Sequence, residues 1–231
     1  AVVLDKASKG AMVTESNTAD TVEIYTGRVL KNEQTALQVR RTYQFERQLG
    51  APDTSQPTQV QSEYFTGCVF NEAVLNLDTA SKISMDMKFV SADQELRTGV
   101  TGFKAGTRPA IENADAQNTS TDLKRVRLCK VVAGNESPDP LFAFFPSATI
   151  TFNNGVEPLK AITRLGAFEM SAGDFVVTVS LNGYFSSIEA ISAIRNNDTL
   201  TLDLMEFRNG QGWVIDLPLV TAGDGSIQVE K

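Results

Sequence analysis

The chain of 231 residues is 42% hydrophobic and 21% charged, contains no histidine, and carries a formal net charge of −7. This is ordinary for a globular protein with a sizeable core, and the acidic surplus argues against a protein that grips nucleic acid through its phosphates. Without histidine, Ser-His and Cys-His hydrolases are excluded and the commonest metal ligand is missing, which leaves catalysis to carboxylates or lysine alone.

The start, Ala1-Val2-Val3-Leu4-Asp5-Lys6, lacks the basic-then-apolar order of a signal peptide. It has no initiator methionine, so either that residue was removed or the chain begins inside a longer one. From Ala36 to Leu49 the apolar residues Leu37, Val39, Tyr43 and Phe45 alternate with polar ones, the period of a strand. Gly50 to Ser62 is a polar loop. Val69–Leu77 and the Ile83, Met85, Met87, Phe89 alternation flank the turn-like Asp78-Thr79-Ala80-Ser81-Lys82, predicting a long β-hairpin over 68–90. Lys104 to Asp122 has no periodicity and reads as a linker or long exposed loop.

The second half has the same texture. Ala148–Phe152 alternates and is broken by Asn153-Asn154-Gly155. Ile162–Met170, a small-polar turn and Phe175–Tyr184 predict a second hairpin. Ser186-Ser187 precedes Ile188, Ala190, Ile191, Ala193 and Ile194, a short helix with a serine cap that ends at Asn196-Asn197-Asp198. Leu200, Leu202 and Leu204, the turn 208–212 and Trp213–Leu217 form a third hairpin, with Pro218 closing its return strand. Ile227 and Val229 suggest a last edge strand. Apolar runs such as Leu141-Phe142-Ala143-Phe144-Phe145 are far below the ~20 residues of a membrane span.

Cys68 and Cys129 are too few for a disulfide framework and read as buried free thiols, as in a reducing cytoplasm. Lys124-Arg125-Val126-Arg127-Leu128-Cys129-Lys130 holds four cations in seven residues, but no aromatic interleaves for base stacking. Lys124, Arg125, Arg127 and Lys130, with Arg40, Arg41, Glu46 and Arg47, read instead as charges that pair across subunits and set their register. Asp198, Asp203, Glu206 and Asp216 are the densest carboxylates. Paired carboxylates can hydrolyse glycosides, yet Asp203 and Asp216 fall on strands, where alternating acids mark a solvated face. Ala222-Gly223-Asp224-Gly225 is a turn, not a phosphate loop. Trp213, at a strand start, reads as core or interface.

Several stretches together resemble the tail tube (major tail) proteins of long-tailed bacteriophages. They are Tyr64-Phe65-Thr66-Gly67-Cys68-Val69-Phe70-Asn71 with the hairpin after it, Gly166 to Phe175, Asn182-Gly183-Tyr184-Phe185, and Trp213-Val214-Ile215-Asp216-Leu217-Pro218. The resemblance covers roughly residues 20–231. It implies a mainly β protein, an antiparallel β-sandwich or partial barrel with a short flanking helix, whose copies join into stacked rings forming a hollow tube. In the longer members of that family another strand set and a helix are expected before the segment matching 20–50, so the first unit reads as minimal or cut short.

The likeness between the two hairpins reads as a duplication, with a first tube-like unit at 1–103, a linker at 104–122 and a second unit at 123–231. A single-unit protein would form hexameric rings; a duplicated one, trimers with pseudo-sixfold symmetry. The implied protein is no enzyme and needs no cofactor or metal. Its partners are copies of itself, a tape-measure protein and tail-terminal proteins. DNA passes through an acidic lumen without specific binding, no membrane is involved, and the place is the virion tail, assembled in the host cytoplasm. The rival reading is a carbohydrate- or receptor-binding β-sandwich of a tail tip.

Overall fold

The computed structural model describes residues 2–4, 24–26, 41–50, 58–107, 110, 115–134, 140–141, 144–184, 188–209 and 211–223. Residues 1–40 and 41–231 are two compact units. In the first, β1 (Val2–Leu4) and β2 (Ile24–Thr26) pair in parallel, Val2 opposite Ile24.

The second unit is organised by one long strand. β4 (Gln61–Asp78) runs for 18 residues, well past the usual five or six. Its C-terminal half pairs with β5 (Ser84–Val90) and its N-terminal half with β6 (Asp93–Thr98), so the two act as one interrupted partner along β4. The interruption falls at Ser91-Ala92, where the Ala92 N–H donates to the Thr66 carbonyl at 3.0 Å. Gly67 faces it at φ +61°, and a Cβ there would come within 2.9 Å of the Ala92 Cβ. Glycine is therefore required at this kink. β4 also pairs with β3 (Tyr43–Gly50) over its first half and with β8 (Ser147–Asn153) over its second. Beyond β8 lies β11 (Val176–Asn182), which completes a six-stranded antiparallel sheet.

A second, three-stranded antiparallel sheet has β12 (Thr199–Arg208) between β13 (Gln211–Thr221) and β7 (Leu123–Lys130). Leu75 and Leu77 of β4, Ala148 and Ile150 of β8, Leu128 of β7, and Leu200, Leu202 and Leu204 of β12 form one buried cluster with Ala190 and Ala193 of helix α1 (Ile188–Arg195). The fold is thus a β-sandwich with one short flanking helix, as expected. A smaller cluster of Val69, Val156 and Met170 lies by the two-stranded pair β9 (Glu157–Leu159) and β10 (Glu169–Ser171). β4 of the first predicted unit and β8 of the second are neighbours in one sheet and share the main core.

The first predicted hairpin is present, with Val69 opposite Val90, and its first strand extends back to Gln61, where it pairs with β6. The second is not formed. Met170 belongs to β10, which pairs with β9, whereas β11 pairs with β8, Val177 opposite Phe152. Ile162–Met170 and Phe175–Tyr184 share a period but not a ladder, because β11 reaches the main sheet beside β8. The third hairpin closes tightly: Arg208 pairs with Gln211 around Asn209-Gly210, with Asn209 at φ +49°, as an Asn-Gly hairpin turn requires. Its return strand continues through Pro218 to Thr221 rather than ending there. The ladder slips between Leu200 and Leu202, opposite Pro218 and Leu219, a bulge that accommodates the missing N–H.

α1 ends as predicted: Asn197 takes φ +55° and the Asp198 N–H donates to the Ala193 carbonyl at 2.9 Å. Its serine cap, Leu37 and Val39, Phe142 and Ala143, Ile227 and Val229, and the loop centre 51–57 lie outside the described residues. The described end of the 104–122 segment is fastened down. Arg208 donates to the Ala116 carbonyl at 2.7 Å, and the Phe207 N–H to that of Asp122 at 2.8 Å.

Candidate assembly surfaces

Among the described residues, β5 and β11 each have a single strand partner, so both are open edges of the same sheet, at opposite sides. Each is seven residues long. Since β4–β5, β4–β8 and β8–β11 all pair antiparallel, β5 and β11 run in opposite directions. Each presents a row of free backbone donors and acceptors, which is the template for strand addition.

The sheet between these edges has two different faces. One holds Ala73, Leu75, Leu77, Ala148 and Ile150 against the core. The register places Ser84, Asp86 and Lys88 of β5 opposite Asn76, Val74 and Glu72 of β4 on the other, with Asp78 of β4 beside Ser147 of β8. The same face continues through Thr149, Thr151 and Asn153 of β8 to Thr178, Ser180 and Asn182 of β11. Every one of these residues is exposed or half-buried. Three carboxylates (Glu72, Asp78, Asp86) meet one ammonium (Lys88), which pairs with Glu72. The Asn76 amide donates to Asp86 at 3.2 Å, and that of Asn182 to the Ser147 hydroxyl at 2.7 Å. The face is hydroxyl- and amide-rich and weakly acidic.

The interface charges anticipated from sequence are placed as follows. Arg40 lies outside the described residues, and Arg41 is exposed ahead of β3. Arg47 pairs with Glu63 on the neighbouring strand and lies 5.9 Å from the Phe65 ring centre. Glu46 accepts from the Gln48 amide at 3.2 Å. Lys124 donates to the Thr121 carbonyl at 2.6 Å, Arg125 pairs with Asp203 at 2.8 Å, and Lys130 with Asp198 at 2.6 Å. Arg127 is half-buried on β7. Arg47, Arg125 and Lys130 thus already have acidic partners within their own chain.

This chain matches the sequence profile of the family described as phage tail tube protein over residues 3–225. It belongs to that family. None of the curated proteins compared with it matches. Membership in a tail tube family makes the chain a structural component of a phage tail, as the resemblance implied. Both cysteines are free and buried, and burial pushes the Cys68 thiol up. No helix among the described residues is long and apolar enough to cross a membrane.

One group was missed by the sequence reading. Glu206, on β12, counted above only among the densest carboxylates, is 1% exposed and neither carboxylate oxygen has a hydrogen-bond partner. Loss of solvation, and then the nearby Asp122 charge, push it up to about 7. Asp122 itself is held low, against its own desolvation, by the Asn118 N–H, the Thr121 hydroxyl and the Arg208 guanidinium. A carboxyl raised into the neutral range is what a general acid needs, but Glu206 lines neither the cleft beside Leu77 and Ser147 nor the one beside Phe45 and Lys104. Strand alternation itself turns it inward, since Glu206 lies on the same side of β12 as the buried Leu200, Leu202 and Leu204.

Proposed function

We propose that the chain is the repeating subunit of a hollow tail tube, joined into rings by sheet pairing and acting by assembly alone. The observation that carries this reading is the match between β5 and β11. They are equal in length, opposite in direction and at opposite edges of one sheet. A copy rotated beside the first brings its β11 against β5 as an antiparallel neighbour, and repetition continues the sheet until it closes. Such a head-to-tail joint generates a ring when the rotation closes.

The polar face then lines the channel. Its threonines, serines and asparagines offer no cationic grip to a phosphate backbone, and its acidic surplus repels DNA over the ~8 Å Debye length of physiological salt. The genome slides through without specific binding. One sandwich around one main core favours the single-unit arrangement, hence hexameric rings over trimers. Further partners are a tape-measure protein in the channel and tail-terminal proteins at the ends, in a virion assembled in the host cytoplasm.

The test is electron microscopy of the purified protein across concentration, with light scattering on the same samples. Tubes or rings of uniform width are expected, with sixfold end views. A monodisperse monomer at high concentration would overturn the reading; threefold end views would overturn the single-unit count alone.

A further inference from the structure

The register sets Met85 of β5 opposite Leu75 and Met87 opposite Ala73, so both methionines lie on the core-facing side of the sheet. Leu75 and Ala73 are 0% and 5% exposed, but Met85 and Met87 are 44% and 59% exposed. The cause is an offset between the layers. β7, β12, β13 and α1 pack over β4, β8 and β11, and stop short of β5. Phe89, the next residue on that side, meets Tyr43, Phe45 and Phe70 edge-on, with ring centres 5.6, 4.7 and 5.6 Å away. Tyr43 and Phe45 are themselves 45% and 39% exposed. One apolar strip therefore runs from Met85 to Tyr43, and contiguous exposed apolar surface of this kind marks an interaction site.

We propose that this strip is covered by the next copy of the chain in the ring, whose β11 sets Val177 and Val179 beside Met85 and Met87 and carries the sandwich core across the joint. Val177 and Val179 lie on the core-facing side of β11 and are only half-buried in their own subunit. Both open edges thus hold unused apolar surface on the same side of the same sheet. Pairing them adds side-chain burial to the backbone ladder, which alone would select no particular partner strand. Methionine suits a joint of this kind, because its flexible thioether fills irregular gaps. The inference rests on the ring reading above and adds which side chains close the ring.

The experiment compares the wild-type protein with M85L/M87L and M85E/M87E by microscopy and light scattering, with circular dichroism and melting to verify the fold. Wild type and M85L/M87L are expected to assemble alike. M85E/M87E is expected to remain folded but monomeric, or to need at least about tenfold more protein to assemble. Tubes of M85E/M87E at the wild-type concentration would overturn the inference and leave the ring reading standing. Rings of M85E/M87E that fail to stack would make the strip an axial contact and overturn it as well. A wild type that forms no rings would instead overturn the ring reading beneath it. Should the glutamates disturb the fold, Met87→Cys combined with Val177→Cys or Val179→Cys decides the matter, since the native thiols are buried. A ladder of disulfide-linked oligomers under mild oxidation supports the joint; its absence from both combinations, in assembled protein, overturns it.

Discussion

Strands β5 and β12 both alternate apolar and polar residues, but only β12 is sealed. Leu200, Leu202 and Leu204 are 0–1% exposed, while Met85 and Met87 are 44% and 59% exposed. β12 is the centre of its sheet and faces the full width of β4 and β8; β5 is an edge beyond the reach of the second layer. Period-two patterning specifies a strand with an apolar side, and leaves open whether its own chain or another covers that side.

This contrast is broken most sharply by truncation. Leu202→Ala is expected to cost about 2–5 kcal/mol, the usual range for a sealed core leucine. Met87→Ala should cost well under about 1 kcal/mol in the isolated subunit, since little burial is lost. Denaturant melts of the two variants under non-assembling conditions check the difference. Similar losses at both positions would mean that β5 is covered within the subunit.

The next effect separates β12 from itself, because the same strand ends in a buried carboxyl. Glu206 is raised from 4.5 to about 7 in the folded chain, first by desolvation and then by Asp122. Between those values the folded state holds a proton that the unfolded state has released, so stability falls as pH rises. The contribution of protonated Glu206 is complete below about 4.5 and lost once the pH has passed about 7. Glu206→Gln should therefore be more stable than wild type at pH 8, by up to about 3 kcal/mol, and about equal to it at pH 4. Melting temperatures at the two pH values test this; an equal gain at both would assign the effect to something other than the proton.

How far these regions were legible follows from the same physics. The alternation in 68–90 and 200–217 and the Asn-Gly turn are local signals, and the strands they predict are present. The partner of β11 was not legible. Phe175–Tyr184 follows Ile162–Met170 closely, and adjacency suggested a hairpin, but its ladder is with β8 across an intervening pair. The inward side of Glu206 was legible, since it continues the alternation of Leu200, Leu202 and Leu204; what no local pattern encodes is that neither of its carboxylate oxygens meets a hydrogen-bond partner there. The assembly charges were legible as strand cations, but not their intrachain partners, since Asp203 and Asp198 approach Arg125 and Lys130 only through the β7–β12 ladder.

The smallest expected effect concerns those cations. Arg125 and Asp203 are 39% and 27% exposed at their side chains, and a pair that wet is worth at most about 1 kcal/mol. Arg125→Ala should thus shift a denaturant midpoint only slightly. Assembly is the more telling readout. If β7 charges serve only the fold, tube formation by Arg125→Ala should match wild type at every salt concentration. If they also face a neighbouring copy, the variant should assemble more weakly at low salt and converge on wild type as salt rises, because exposed charge pairs are screened within about 10 Å at 0.1 M. The pairing with Asp203 favours the first outcome, and would leave ring closure to the β5 and β11 edges.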